Sequence, residues 1–375
     1  MMWLRSRLRK GQVNLWTLRN RLKSVLYVML LFVLILVGEQ QYTKNQVSER
    51  GASPSDTSLS FENGNRRVNN VSNVENYEYT SNKRLHPEIK YLKDCKYEFC
   101  DEINIPGMPD TKENDYLNKY IFSTSQCPQG LAFAKNFVLI TSYSEGDECL
   151  GELMVFDRAT GDYLVTLGMD PKSHLGGITY DGKNVWVCNS SQKAIERISF
   201  DFIELMALEN RGEVVDATEV VDIYKVDHVP SCITFHSGRI WIATHTLLFD
   251  SKVGAYYYNA KDDKLLPLSE YNIPAKVQGI AFDEKDRIYL STSYGRTVSS
   301  FLKIYDSLAT MSSKPSQPNL QIEMPPGSEE LDADDNTLYV LFESAGERYL
   351  EGTDGKGVST SPIDKILKIH LKSVK

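Results

Sequence analysis

The chain has 375 residues, 41% of them hydrophobic, which is material for one large domain or two ordinary ones, and its 21 Tyr and 14 Phe favour β structure. Its formal net charge is −8, yet Arg5, Arg7, Arg9, Lys10, Arg19, Arg21 and Lys23 all precede the first acid, Glu39. The remainder of the chain is therefore strongly acidic, which argues against a phosphate backbone as ligand and excludes nucleic acid as an expected partner.

In chain order, the basic block 1–23 leads into an apolar stretch, 24–38, whose core VLYVMLLFVLILVG runs from Val25 to Gly38. That core is short beside the ~20 residues of a comfortable spanning helix. It reads as an uncleaved signal anchor, because LVGEQQ lacks a small-x-small cleavage site. A cleaved signal peptide, giving a secreted protein, and a buried core helix are the other two readings. With the basic block held in the cytoplasm, the expectation is a single-pass membrane protein whose remainder is extracytoplasmic. Residues 39–82 are rich in Ser, Asn, Glu and Gln and have too few apolar side chains to offset ordering, so they read as a disordered stalk. Residues 83–119 read as a small cap carrying Cys95 and Cys100.

Residues 120–375 repeat. QGLAFAKNFVLITSYS from Gln129, GGITYDGKNVWVCNSS from Gly176, SCITFHSGRIWIATHT from Ser231, QGIAFDEKDRIYLSTS from Gln278 and EELDADDNTLYVLFES from Glu329 share one pattern, at spacings of 47, 55, 47 and 51 residues. Each is two apolar strands around a polar turn, followed by a third strand and, in most, a fourth. Four short antiparallel strands at such a period predict a β-propeller of five blades, or six if the cap forms an irregular blade. The fifth unit ends after its third strand, so Tyr120–Ser125 is expected to complete it and close the ring. DFIELMALENRGEVVDA after Phe200 has helical spacing and is expected outside the second blade.

The register predicts two polar rings at one channel mouth. Inner strands begin at Gln129, Gly176, Ser231, Gln278 and Glu329, and second strands return at Thr141, Asn189, Thr244, Thr292 and Glu343, with Tyr143, His245, Tyr294, Arg296 and Tyr349 just beyond. The candidate ligand-binding residues are Gln129, Tyr143, His174, Asn189, His245, Gln278, Tyr294 and Arg296. Glu329 and Glu343 are the candidate catalytic carboxyls. Arg296 suits an anionic group, or an ion pair with Glu343 or Glu347. His174 reads as a structural hydrogen-bonding residue or as a ligand contact. Trp186 and Trp241 read as packing, and YDGKN, DEKD and DADDNT as turns rather than calcium loops. Glu330 stands where other repeats have Gly or Cys. In an exported chain, Cys95 with Cys100, Cys127 with Cys149, and Cys188 with Cys232 are plausible disulfides, buried free thiols being the alternative.

This blade layout resembles the extracytoplasmic propellers grouped as NHL-repeat and gluconolactonase-like proteins, over about 120–375. The resemblance implies a divalent cation such as calcium in the channel, with Glu329, Asn189 and Glu343 as the nearest counterparts of its ligands. The other ring positions are Gln, Ser or Gly, a weak anionic set for calcium. Two functions are expected. The first is a membrane-anchored propeller binding a cell-envelope glycan, peptide or protein, or a small-molecule ligand, at its mouth. The second is a lactonase- or esterase-like channel-mouth hydrolase, with a divalent cation where the resemblance holds.

Overall fold

The apolar–turn–apolar units fold as hairpins because each turn contains residues that accept a left-handed backbone. Lys135, Ser237, Asp286 and Asp335 all have φ between 51° and 61°. Asp181 and Asp283 brace their turns by accepting the backbone N–H groups of Lys183 and Asn184, and of Lys285 and Arg287. These aspartates therefore work as turn formers.

The computed structural model describes residues 91–100, 103, 105, 126–144, 150–350, 352 and 354–374, with strand backbone at 61–63, 66–68, 71–73, 78–79 and 111–112. It is an all-β propeller of five blades with four-stranded blade sheets. From the axis outwards, the first blade is Gln126–Ala134, Phe137–Ser144, Gly151–Asp157 and Tyr163–Met169. The second is Ile178–Tyr180, Asn184–Asn189, Ala194–Ser199 and Asp222–Lys225. The third runs Cys232–His236, Arg239–Ala243, Ser251–Asn259 and Lys264–Ile273. The fourth runs Val277–Phe282, Ile288–Thr292, Ser300–Tyr305 and Leu320–Met324.

The fifth blade comprises Ser328–Asp334, Thr337–Phe342 and Leu367–His370, and its outer strand is Tyr97–Phe99, paired antiparallel to Leu367–Ile369. The ring is thus closed by an N-terminal strand, as the missing fourth strand requires, but not by 120–125, which lie outside the described residues. Tyr91 and Leu92 pack into the core between the fourth and fifth blades, and Cys100, Ile103 and Ile105 into the one between the fifth and first. The segment read as a cap therefore contributes to the ring itself. Periodicity could not show this, because YEF is too short to stand out.

Helix Phe200–Glu209 forms where expected, but it packs between the first and second blades. Its Phe200, Phe202, Ile203 and Met206 join Leu164, Val165 and Leu167 of one and Val185, Val187 and Ile198 of the other. The chain then adds Glu213–Asp216 parallel to Tyr163–Met169, covering an outer edge that would otherwise offer unpaired backbone. Trp186 and Trp241 are packing residues: Trp186 is fully buried and donates to Asp181, and Trp241 lies against Tyr271 and Phe282.

Cys95, Cys127, Cys188 and Cys232 are unbridged thiols, so of the two readings the thiol one holds for the pairs Cys95 with Cys100 and Cys188 with Cys232. Cys149 lies outside the described residues. Burial pushes the thiols of Cys188 and Cys232 well above their ordinary range, with Glu330 adding to the effect. The apolar run Val25–Gly38 also lies outside the described residues. Among those described, no helix is long and apolar enough to cross a membrane.

Candidate functional site

The inner strands approach closely at the axis. A Cβ on Gly177 would meet Glu330 Oε2 at 2.4 Å and Cys232 Cα at 2.8 Å, and one on Gly279 would meet the Glu329 carbonyl oxygen at 2.5 Å. Glycine at these positions leaves room for one larger side chain, that of Glu330. It is fully buried and accepts from the backbone N–H groups of Ile233 (3.4 Å), Ile280 (3.2 Å) and Leu331 (3.1 Å), one from each of three blades. Burial drives its carboxyl well above the usual range, and the three backbone N–H groups pull the other way. The departure from Gly and Cys at this register was the sequence signal for it, though not for its role.

Beside it, at the end of the ring where the inner strands begin, a polar cluster is centred on Glu343. Its Oε2 accepts from Gln129 Nε2 (3.0 Å), the Tyr349 hydroxyl (2.5 Å) and the Cys127 thiol (3.5 Å). Glu329 hydrogen-bonds with Glu343 and accepts from Gln278 Nε2 at 3.0 Å. Two carboxyls in contact cannot both ionise freely. Burial first, then the neighbouring Glu343, raises Glu329 well above the carboxylate range.

Arg348 donates to the Tyr143 hydroxyl and lies over the rings of Tyr143 (5.7 Å) and Tyr349 (4.8 Å). His174 lies against Tyr143, ring centres 4.4 Å apart, and burial lowers its pKa to about 4, leaving it neutral at pH 7. His245 places Nδ1 3.2 Å from the Val277 carbonyl beside Gln278, and burial lowers its pKa as well.

Gln129, Tyr143, His174, His245, Gln278, Glu329 and Glu343 are thus brought to one end of the ring. Three predicted residues are placed otherwise. Asn189 is fully buried within the second blade, where Nδ2 donates to Asp170 Oδ2 (3.0 Å) and Glu196 Oε1 (2.6 Å) and Oδ1 accepts from Gln192 N (2.9 Å). It is a structural residue. Arg296 is 8% exposed, with its guanidinium held by Asp354 (2.5 Å) and the carbonyls of Arg348 (2.9 Å) and Gly357. It fastens the loop after the fifth blade's second strand instead of facing an anionic ligand, and its ion pair is with Asp354. Tyr294 is half-exposed under Lys276 Nζ, 4.5 Å from the ring centre, and lies on the rim.

The second-strand threonines do not form a lining ring. Thr141 is fully buried and donates to the Leu175 carbonyl, and Thr292 to that of Phe301. Arg348 and Cys127 are cluster members that the repeat register did not point to. Arg348 comes from an insertion without counterpart in other blades, and Cys127 precedes the repeat unit. No group of three or more His, Cys, Asp or Glu able to hold a metal ion occurs among the described residues. With Asn189 turned away, the ligand set implied for calcium does not assemble. An open cleft of about 900 Å³ lies elsewhere, between Lys93–Lys96 and His370–Ser373, away from these groups.

The Asn189 network carries a pH signature. Burial chiefly, with a smaller contribution from Asp170, pushes Glu196 up to about 7. The folded protein keeps a proton there that the unfolded chain releases near pH 4.5. This group therefore contributes a loss of stability as pH rises from about 4.5 to 7, on the order of 3 kcal/mol in total. Glu196→Gln should flatten the fall of Tm between pH 5 and pH 7.5, and an unchanged slope would rule out Glu196 as its source.

No protein-family profile and no curated protein matches the sequence. Three solved structures show a weak similarity, propeller-type folds among them. Aldose sugar dehydrogenase of Streptomyces coelicolor, in its PQQ-bound form, is 14% identical over 76% of this chain and 99% of that one, with a TM-score of 0.43. Glutaminyl cyclase of Myxococcus xanthus is 7% identical over 73% and 97%, with a TM-score of 0.39. Hydrazine synthase of Kuenenia stuttgartiensis is 9% identical over 57% of this chain, which spans 55% of that one, with a TM-score of 0.35. The likeness is one of fold and carries no activity.

Proposed function

We propose that this propeller is a binding module, tethered through 24–38 with the ring outside the cytoplasm, whose ligand or envelope partner is held by the polar cluster around Glu343. The supporting observation is the convergence of Gln129, Tyr349 and Cys127 on one carboxylate oxygen, with Glu329, Gln278, Arg348 and Tyr143 around it. Hydroxyl, amide and carboxyl groups beside tyrosine and histidine rings, with neutral imidazoles and the Arg348 cation close to two carboxyls, suit a neutral, hydroxyl-rich ligand such as a glycan segment. The test is calorimetric titration with a panel of neutral oligosaccharides and short peptides. A saturable ligand whose affinity falls at least tenfold in Tyr349→Phe supports the reading. A ligand indifferent to Tyr349→Phe and to Gln129→Ala places binding elsewhere.

A second reading, hydrolysis of a lactone or ester, is favoured by one observation, the contact between Glu329 and Glu343. Carboxyls this close leave no room for the separation that glycosidase pairs need. Two adjacent carboxyls of which Glu329 is the one held well above its ordinary range do suit attack on a carbonyl. Glu343 would take a proton from water as its oxygen adds to the carbonyl carbon, and Glu329 would give its proton to the carbonyl oxygen. Collapse of that intermediate would expel the alcohol, protonated by the same pair. In Glu329→Gln, hydrolysis of test lactones should fall at least a hundredfold. Full activity in that variant would exclude the pair.

A further inference from the structure

The loops joining second to third strands in the third, fourth and fifth blades all lie at the end of the ring that carries the Glu343 cluster. In the third blade this loop presents three consecutive apolar side chains, Leu247, Leu248 and Phe249, exposed by 39%, 61% and 63%. Tyr294 and Val298 of the next loop and Val358 of the one after are each at least half exposed. Backbone hydrogen bonds join these loops. Lys276 N donates to Thr246 O, Ser293 N to Lys276 O, and Thr360 N to Arg296 O. The tip is also pinned from within, since Thr246 donates to the Phe249 carbonyl and its own N–H is taken by Ser251 Oγ. This much hydrogen bonding around Leu, Leu and Phe marks an ordered apolar projection, not a frayed loop.

Many charges around the projection pair with one another: Lys252 with Glu270 at 2.9 Å, Lys314 with Asp250 at 3.6 Å, and Arg296 with Asp354 at 2.5 Å. Lys276, over the Tyr294 ring, and Lys356, near Val358, add a small positive excess at this end, which suits a headgroup surface. A projecting tip makes a poor partner for a flat protein surface, which needs roughly 800 Å² per side. A bilayer accepts such a wedge, and aromatic residues such as Phe249 and Tyr294 suit its interface.

We propose that this face docks on a lipid bilayer, with Leu247, Leu248 and Phe249 inserted at the headgroup–acyl boundary and Tyr294, Val298 and Val358 resting on it. The inference rests on the proposed tether through 24–38, which would keep a bilayer within reach: the 52 residues between Gly38 and Tyr91 are ample connection. It deepens the binding reading, since a ligand entering beside Tyr294 would come from the membrane surface.

The test uses the full chain reconstituted into phosphatidylcholine vesicles containing lipids brominated in the upper acyl chain. Tryptophan is placed by Phe249→Trp and, as a control on the same blade, by Tyr257→Trp, which sits 48% exposed near the opposite turns. Emission is read as the difference from the parent chain. The expected result is at least threefold stronger bromolipid quenching at 249 than at 257, reduced to the control level by adding Leu247→Glu and Leu248→Glu. A protein that floats with the vesicles but shows equal quenching at both positions overturns the docking and leaves the tether standing. One that does not float overturns both. Shielding of position 249 from acrylamide without bromolipid quenching means a protein covers the tip, and overturns the bilayer assignment.

Discussion

Replacing Glu330 with alanine is expected to destabilise the ring by about 3–6 kcal/mol, the largest single effect among the buried polar groups described. The substitution would leave the N–H groups of Ile233, Ile280 and Leu331 without their acceptor in a water-poor axis, at about 1–3 kcal/mol for each buried donor left unsatisfied. It would also open a hole beside Gly177 and Gly279, whose missing side chains were the room Glu330 occupies. Glu330→Gln should cost far less, about 1–2 kcal/mol. It keeps the volume and one acceptor, and burial already disfavours the charged form of Glu330. Chemical denaturation of the two variants checks this. Equal losses would mean that charge, not hydrogen bonding across three blades, is what the position supplies.

The second large effect is at Glu343. Glu343→Ala removes the common acceptor of Gln129, Tyr349 and Cys127 and the neighbouring carboxyl that helps raise Glu329. Binding of any mouth ligand is expected to fall at least a hundredfold. Stability should fall by only about 1–3 kcal/mol, because Gln129 already has a second acceptor in the Pro128 carbonyl and Glu343 itself is half-buried. The dissociation of the two effects is the informative feature. A purely structural Glu343 would lose stability and leave affinity intact in the protein that remains folded. Glu329 adds a pH sign. Its raised pKa means that the folded state holds a proton the unfolded chain releases, so this group's contribution to stability declines as pH rises above about 4.5. Glu329→Gln should remove that decline.

Much of the fold was legible in the sequence because a propeller writes itself as a period. Five matched inner strands gave the blade number, and the polar residues at their starts put Gln129, Gln278 and Glu329 at one end of the ring. Patterns fail where one copy departs from the rest. Tyr97–Phe99 closes the ring, but three residues within a polar context show no alternation long enough to register. Asn189 and Arg296 were assigned to the mouth by register alone. Register fixes which end of a strand a residue occupies, not which neighbours reach it. Asp170 and Glu196 draw Asn189 into its own blade, and Asp354 and Gly357 draw Arg296 onto a loop that has no counterpart among the repeats. The same loop supplies Arg348 and Tyr349, so the most individual part of the cluster comes from the least repetitive part of the ring. The cysteines were left open between two readings for a different reason. Spacing and compartment argued for bridges, while the packing holds Cys188 and Cys232 as separate buried thiols beside Glu330.

Whether the cluster around Glu343 is where this protein meets its ligand is best decided by a crystallographic fragment soak with neutral sugars, small lactones and short peptides. The expected result is a set of fragments in hydrogen-bond contact with Glu343, Gln129 or Tyr349, absent from the same soak of Glu343→Ala crystals. Fragments that gather elsewhere on the ring, in both crystals alike, would show that binding does not depend on this cluster.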